Sequence, residues 1–530
     1  MSKLREALRS RGPLIALLAG AAALLAACGG GGGGGGGGST PPPSSTFGPS
    51  SQYAQQCDPT NPNAPAANKT GSLTIEKQWI RAYFDEAYLW YNQVPTVDPN
   101  AAAYSGSMAS LSAFNVPVPL DNYFQALKTP QLTPTGAKVD KFSFTYSTAD
   151  WNALSQSGVS AGYGMKIALL RASPPRSAVV AYTDPNTPAT NASIARGAQI
   201  LAIDGVDLVN GSDVTTLNRG LFPNANETHT FTIQDLGATT SRTVSLTAQV
   251  VTSTPVQNVK TITTPSGTVG YMLFTQHIAS AEQPLINAIN TLKAANVSDL
   301  VLDLRYNGGG YLYLASELAY MIAGPANTYV GANSKIFEKL TYNDKRTADT
   351  NNPNSTTPFF NTSCIPDANF KCTNTGALPY LGLNTVYVLV QGGTCSASES
   401  IINSLRGVGL TVRLIGGTTC GKPYGFTQKD NCGVSYFPIE FKGVNNQGYG
   451  DYTDGFTPSC TVSDDFNHAL GDPAEAQLAG ALAVRSTGLC PGGGTPMLKP
   501  QASLPAPAPQ YTLLRNPLLE NRWVLPGGGR

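Results

Sequence analysis

Gly392–Phe426 reads GGTCSASESIINSLRGVGLTVRLIGGTTCGKPYGF, and the reading of this stretch decides the fold. A continuous apolar run, Val386-Tyr-Val-Leu-Val390, leads into it and predicts a strand buried on both faces. Glycines at 392 and 393 turn the chain, and a helix is expected from about Ser398 to Leu405, with Ile401, Ile402 and Leu405 on one side. Ser396 then stands where a buried strand hands over to a helix N-terminus, whose unpaired N–H groups can hold a developing oxyanion. A second strand, Thr411-Val-Arg-Leu-Ile415, ends in Gly416-Gly-Thr-Thr-Cys-Gly-Lys422. The separation 422 − 396 = 26 residues is about one helix plus one strand with their turns, so Ser396 and Lys422 can meet at one sheet edge. Taken singly, the serine also reads as a helix cap and the lysine as a solvated loop charge.

Ser-Ala-Ser-Glu at 396–399 followed by Gly-Lys at 421–422 resembles the tail-specific, or C-terminal processing, family of serine peptidases. The resemblance implies that Ser396 is the nucleophile and Lys422 the general base of a Ser-Lys dyad. Upstream, Leu300-Val-Leu-Asp-Leu-Arg-Tyr-Asn-Gly-Gly-Gly310 is similar to the family strand ending D-L-R-x-N-x-G-G. By that likeness the oxyanion hole maps to Ala397 with Gly309 or Gly310. Relatives continue G-K-G with a glutamine about four residues past the lysine, whereas this chain runs Gly421-Lys-Pro-Tyr-Gly-Phe426, with Gln428 as the candidate third member. Some distant relatives use a histidine base, and His277, just after the predicted strand Val269–Phe274, is the alternative partner for Ser396. Glu399 reads as a capping or structural carboxylate. The family fold would be α/β, a ClpP/crotonase-like catalytic core with an inserted PDZ-like β-domain and an N-terminal helical region.

The 530 residues carry 34 Lys+Arg against 33 Asp+Glu, and only 13% are charged, which gives no electrostatic case for nucleic acid. Lys3, Arg5, Arg9 and Arg11 precede an apolar stretch, Leu14 to Ala27, too short to span a bilayer comfortably. It ends Leu25-Ala-Ala-Cys28, similar to a bacterial lipobox, so residues 1–28 are expected to be a lipoprotein signal peptide and Cys28 the lipid-bearing residue of an envelope protein anchored to a membrane. Ten glycines (29–38) and a Ser/Thr/Pro run make 29–70 a flexible tether in this reading.

Residues 71–155 are expected to be a helical region, opened by Leu73, Ile75, Trp79, Ile80, Tyr83, Phe84, Ala87 and Tyr88 at helical spacing. Residues 156–255 are strand-rich. There Gly162-Tyr-Gly-Met165 and Ile194-Ala-Arg-Gly-Ala-Gln-Ile-Leu-Ala-Ile-Asp-Gly205 resemble a PDZ domain, which implies peptide capture by strand addition, with Gly162, Tyr163, Gly164 and Met165 as the carboxylate-binding loop. Residues 256–485 alternate strand and helix, the pattern of a largely parallel sheet, with Lys335–Pro379 expected as a surface insertion. Residues 486–530 are Pro/Gly-rich and read as a disordered tail.

The histidines, 229, 277 and 468, lack metal-ligand spacing, and no cofactor fingerprint is present. Nine cysteines less Cys28 leave eight for disulfides in an oxidising compartment. Cys364–Cys372, Cys420–Cys432 and Cys460–Cys490 are the expected pairs. The sequence thus points to a serine endopeptidase acting on unfolded or tail-exposed proteins, without a cofactor. The alternatives are an inactive peptide-binding lipoprotein and a Ser-His variant of the peptidase.

Overall fold

The computed structural model describes residues 47–491 apart from 113, 158, 332, 366–371 and 373–375, together with 511–514 and 522–523. Cys28, the expected signal peptide and the glycine run lie outside these residues. Among the described residues no helix is long and apolar enough to cross a membrane.

A six-stranded sheet positions the site. Its order is Val256–Thr264, Gly267–Phe274, Asp299–Asp303, Thr385–Val390, Thr411–Gly416 and Cys460–Thr461. The first pair is antiparallel and the other pairings are parallel. The period of two in a strand sorts the side chains between two cores. Met272, Phe274, Leu300, Leu302, Val386, Val388, Val412 and Leu414 face one core, filled by helices Glu282–Ala294, Leu312–Thr328 and Ala397–Gly407. Tyr271, Leu273, Val301, Tyr387, Leu389 and Ile415 face the other, closed by Leu478, Ala481 and Val484 of helix Ala476–Thr487. Both faces are covered, which is why these strands read as unbroken apolar runs.

Between residues 159 and 252 lies a separate β-rich region. Its seven-stranded sheet runs Thr512–Leu514, Met165–Arg171, Ser177–Thr183, Gln199–Ile203, Thr228–Gln234 and Arg242–Thr247, with Val206–Asp207 paired to Gln199–Ile203. Arg196 joins this region to the central one: its guanidinium donates to Ala181 O and Tyr306 Oη and bonds Asp464 Oδ1 at 2.6 Å. Tail residues 512–514 were expected without structure. They instead complete a sheet edge, because a local Tyr-Thr-Leu-Leu pattern can form a strand inside a Pro-rich context that hides it.

The N-terminal helical region shares the central core. Helix Leu73–Ala87, capped by Ser72, buries Trp79, Ile80, Tyr83, Phe84 and Ala87 in the cluster that contains helix Ala397–Gly407. Strand Phe144–Ser147 pairs antiparallel with Val434–Phe437, and the Phe144 and Phe437 rings stack at 4.4 Å. The 335–379 segment is likewise no mere surface insertion. Strand Ile336–Tyr342 pairs with Phe441–Val444, which pairs in turn with Tyr424–Gly425, and Phe337, Leu340 and Phe359 are core residues. Its Asn/Thr/Pro composition belongs to the turns between them and masks the buried positions.

Cys364–Cys372 and Cys460–Cys490 pair as expected. The expected Cys420–Cys432 bond does not form: Cys420 bonds Cys395 and Cys432 bonds Cys57. Short sequence distance misled here, because the 392–422 fold brings its two ends together while the 57–71 segment docks on the Lys429–Asn431/Val434–Phe437 hairpin.

Glu76, fully buried in helix Leu73–Ala87, is pushed up to about 7 by burial, against hydrogen bonds from Asp58 N and Asn61 Nδ2. The fold favours its protonated form. That contribution is whole below the unfolded value of 4.5 and is lost as pH rises through about 7. Glu76→Gln should therefore flatten the decline of Tm between pH 5 and 8 and raise Tm by a few degrees at pH 8. Parallel wild-type and variant melts across that range would contradict the assignment.

Candidate active site

Ser396 is fully buried between strand Thr385–Val390 and helix Ala397–Gly407. Its backbone has φ 60° and ψ −115°, a region that side chains other than glycine enter at a cost of about 1–3 kcal/mol. Several bonds impose it: Cys395 N donates to Asn307 O, Ser400 N to Ser396 O, and Ser396 N to Glu399 Oε2 at 3.0 Å. The strained turn lifts the hydroxyl away from the backbone it would otherwise cap, and Oγ has no hydrogen-bond partner among the described residues. Ala397, at the first helical position, has no intrahelical acceptor for its N–H.

Glu399 ties the two halves of the site together. Its Oε2 accepts from Ser396 N and from Lys422 N at 2.8 Å, while Oε1 accepts from Thr419 Oγ1 at 2.5 Å and Gly421 N at 2.9 Å. Burial pushes this carboxyl up, and those four donors pull it back toward the anion. The Cys395–Cys420 disulfide closes the same loop beside it. Cys395, Glu399 and Cys420 lie within metal-ligating distance of one another, but with both sulfurs bonded and the carboxylate oxygens accepting four hydrogen bonds they make no ligand set. Gly421, at φ 80°, packs so closely that a Cβ there would stand 2.2 Å from Thr453 O. Lys422 follows, fully buried, with Nζ 4.6 Å from the Phe426 ring centroid and 4.9 Å from that of Phe142. Phe426 comes from the same loop as the lysine, and Phe142 from the N-terminal region.

The third element is the turn after Asp299–Asp303. Asn307 organises it: Nδ2 donates to Phe274 O, Oδ1 accepts from Gly309 N at 2.9 Å, and its carbonyl accepts from Ser398 Oγ. His277 N donates to Gly309 O and Tyr311 N to His277 O, so the N–H and C=O of Gly310 face away from His277. A Cβ on Gly310 would stand 2.2 Å from His277 O, which excludes other residues. Of the two glycines singled out from sequence, Gly309 therefore has its amide committed, and Gly310 is the one whose amide points outward. His277 Nδ1 bonds Asn307 Oδ1, and complete burial pushes the imidazole down to about 3, so it is neutral. Gln428 is engaged elsewhere: Oε1 accepts from Trp151 Nε1, and Nε2 donates to Asn152, Asp430 and Ser435.

Arg305 anchors the turn from below. Its guanidinium bonds Asp303, Asp464 and Glu475, all buried. Against burial, which would push it up, Arg305 and Arg196 hold the Asp464 carboxyl down at about 2. The carboxylates at 464 and 475 were not legible from sequence, since nothing local marks them as partners of an arginine 159 and 170 residues away. In the β-rich region Gly164 sits at φ 75° between strands Val159–Gly162 and Met165–Arg171, and Tyr163 is buried against Phe231.

With this geometry in view, residues 268–431 match the model for peptidase family S41, and 76–144 match that for the peptidase S41 N-terminal domain. The chain carries a peptidase family S41 domain. It is 34% identical over 137 residues to a carboxyl-terminal-processing protease of a Picosynechococcus species, covering 26% of this chain and 32% of that protein. A Synechocystis protease of the same name is 24% identical over 327 residues, 61% of this chain and 66% of that one. The chain thus matches between about a third and two thirds of the length of these relatives. It also superposes, with a TM-score of 0.56 and 23% identity, on a Bacteroides fragilis chain assigned to the S41 proteases, over 77% of this chain and 97% of that one. This shared fold is mixed α/β.

Proposed function

We propose that the protein is a serine endopeptidase in which Ser396 and Lys422 form the catalytic dyad. One observation carries the reading: a strained, buried serine at a helix N-terminus is bonded through a single carboxylate to the backbone of a buried lysine. The lysine amine works in its neutral form, and burial in an apolar wall favours that form over the ammonium. It takes the hydroxyl proton as Oγ attacks the scissile carbonyl. The N–H groups of Ala397 and Gly310 hold the oxyanion, and the protonated amine then delivers its proton to the leaving amine. An acyl-enzyme forms, and water deprotonated by the same amine releases it. The parallel sheet with helical crossovers fits a ClpP/crotonase-like core, and the β-rich region, with its Gly164 turn opening into Met165–Arg171, fits a PDZ-like peptide binder. Unfolded or tail-exposed proteins are the substrates this implies. A serine-reactive probe should label Ser396, mapped by peptide mass spectrometry. Cleavage that persists with Ser396 unlabelled at saturating probe would sink the reading.

The same proposal places the protein in the bacterial envelope, lipid-anchored through Cys28. Several acyl chains on one cysteine give stable anchoring where a single chain does not. Cys28→Ser should move the protein from the membrane to the soluble fraction, and a variant still membrane-bound and lipid-labelled would refute it.

A further inference from the structure

The outer strand of the seven-stranded sheet comes from the far end of the chain. Thr512–Leu514 pairs antiparallel with Met165–Arg171, in the register Thr512↔Leu169, Leu513↔Ala168 and Leu514↔Ile167. Side chains alternate as strand geometry requires. Tyr511 is buried with its ring 5.5 Å from Phe466 and 6.3 Å from Tyr306, and Leu513 packs in the same cluster. Leu514 packs against the core of the β-rich region. The segment runs C-ward toward the Gly162–Met165 turn, the direction a peptide needs for its C-terminal end to reach that turn. Farther on, Arg522–Trp523 pairs parallel with Gly310–Tyr311, on the side to which the Gly310 N–H and C=O point.

We propose that the C-terminal segment of this chain is a built-in occupant of its own substrate path. Thr512–Leu514 takes the strand-adding edge and Arg522–Trp523 lies along the Gly310 amide, so an extended substrate binds by displacing them; the meaning of the second contact rests on the peptidase reading above. The energetics suit a displaceable competitor. A three-residue strand is weak by itself, but covalent tethering gives it an effective concentration of order millimolar. A free peptide at micromolar concentration must compete against that. The buried Tyr511 ring sits where the β-rich region meets the Arg305 network, so eviction of the tail is felt at the junction between peptide-binding edge and active site.

The test reads binding in full-length protein carrying Ser396→Ala, with and without Leu513→Pro, which removes the packed side chain and restricts the backbone of the strand at 512–513. A short fluorescein-labelled peptide ending in Val-Ala-Leu is titrated and its anisotropy followed. Leu513→Pro should tighten binding by about tenfold or more, and an unlabelled peptide of residues 509–516 should then compete the probe off. Equal affinity in the two proteins, or failure of the 509–516 peptide to compete, overturns the proposal. If Leu513→Pro does not melt cooperatively, the chain ended after Gln510 makes the same comparison. Because the nucleophile is absent throughout, a failure of the peptidase reading leaves this measurement standing.

Discussion

Ser396→Ala should abolish peptide-bond cleavage, by roughly 10⁴-fold or more, while the protein melts at or near the wild-type temperature. Ser396→Gly should be equally inactive and yet more stable, by about 1 kcal/mol, because glycine adopts φ 60° without the strain that serine bears there. That split between stability and activity is what a backbone strained for catalysis predicts, and a purely structural serine would not produce it. Lys422→Arg should also be inactive, since a guanidinium cannot accept the proton. His277 offers the contrast. With its imidazole at about 3 it makes a poor base near neutrality, and its role is to brace the Gly309–Gly310 turn through its backbone and Asn307. The activity profile above pH 5 should therefore show no histidine limb. A limb near 6.5 that disappears with His277→Asn, together with activity surviving in Lys422→Arg, would replace the dyad by a serine–histidine mechanism.

Glu399→Gln is the second large effect. The carboxylate accepts four donors, two on each oxygen, and one of its oxygens joins Ser396 N to Lys422 N. A carboxamide presents an NH2 to one of those pairs, and it meets two backbone donors on the Ser396/Lys422 side or the Gly421 donor on the Thr419 side, where only the hydroxyl can turn to accept. Each unsatisfied donor costs about 1–3 kcal/mol, so stability should fall by about 2–4 kcal/mol. The catalytic consequence is misplacement, since the lysine loop loses its tie to the nucleophile turn, and an ångström of displacement is worth roughly 10²-fold. Steady-state kinetics should show the loss in kcat with KM little changed. A variant with wild-type kcat would mean that the Cys395–Cys420 disulfide alone holds the loop.

Elements built from local pattern were legible in the sequence. The buried strand at 386–390, the helix after Ser396 and the helix opened by Leu73 follow from periodicity; the first two differ from the structure by a residue or two at the ends, and the third stops at Ala87, short of the helical pattern's expected end near Tyr91. The meeting of the Ser396 and Lys422 segments followed from helix and strand lengths. What escaped was long-range. Glu399 read as a cap, which it is, but nothing in Ser-Ala-Ser-Glu tells that the same carboxylate also gathers N–H groups from 421 and 422. Gln428 was singled out by offset from the lysine, and the hairpin geometry turns it toward Trp151 instead. Cysteine pairing was guessed by proximity along the chain, whereas Cys57–Cys432 spans 375 residues and is fixed by docking of the N-terminal segment. The tail strand was hidden by the Pro/Gly composition around it.

The pairing of Phe144–Ser147 with Val434–Phe437 has a consequence for synthesis of the protein. Its two strands emerge 437 − 144 = 293 residues apart, so at ordinary translation rates the earlier one waits roughly 15–60 s for the later. During that interval helix Leu73–Ala87 has no Tyr436 to cover Trp79, and Phe142 has no lysine to enclose. The wall around the Lys422 amine is assembled from the first and last thirds of the chain. A ribosome-bound fragment lacking the last third has neither Ser396 nor Lys422, so under the proposed mechanism the dyad is completed only after the N-terminal part of its wall is already made.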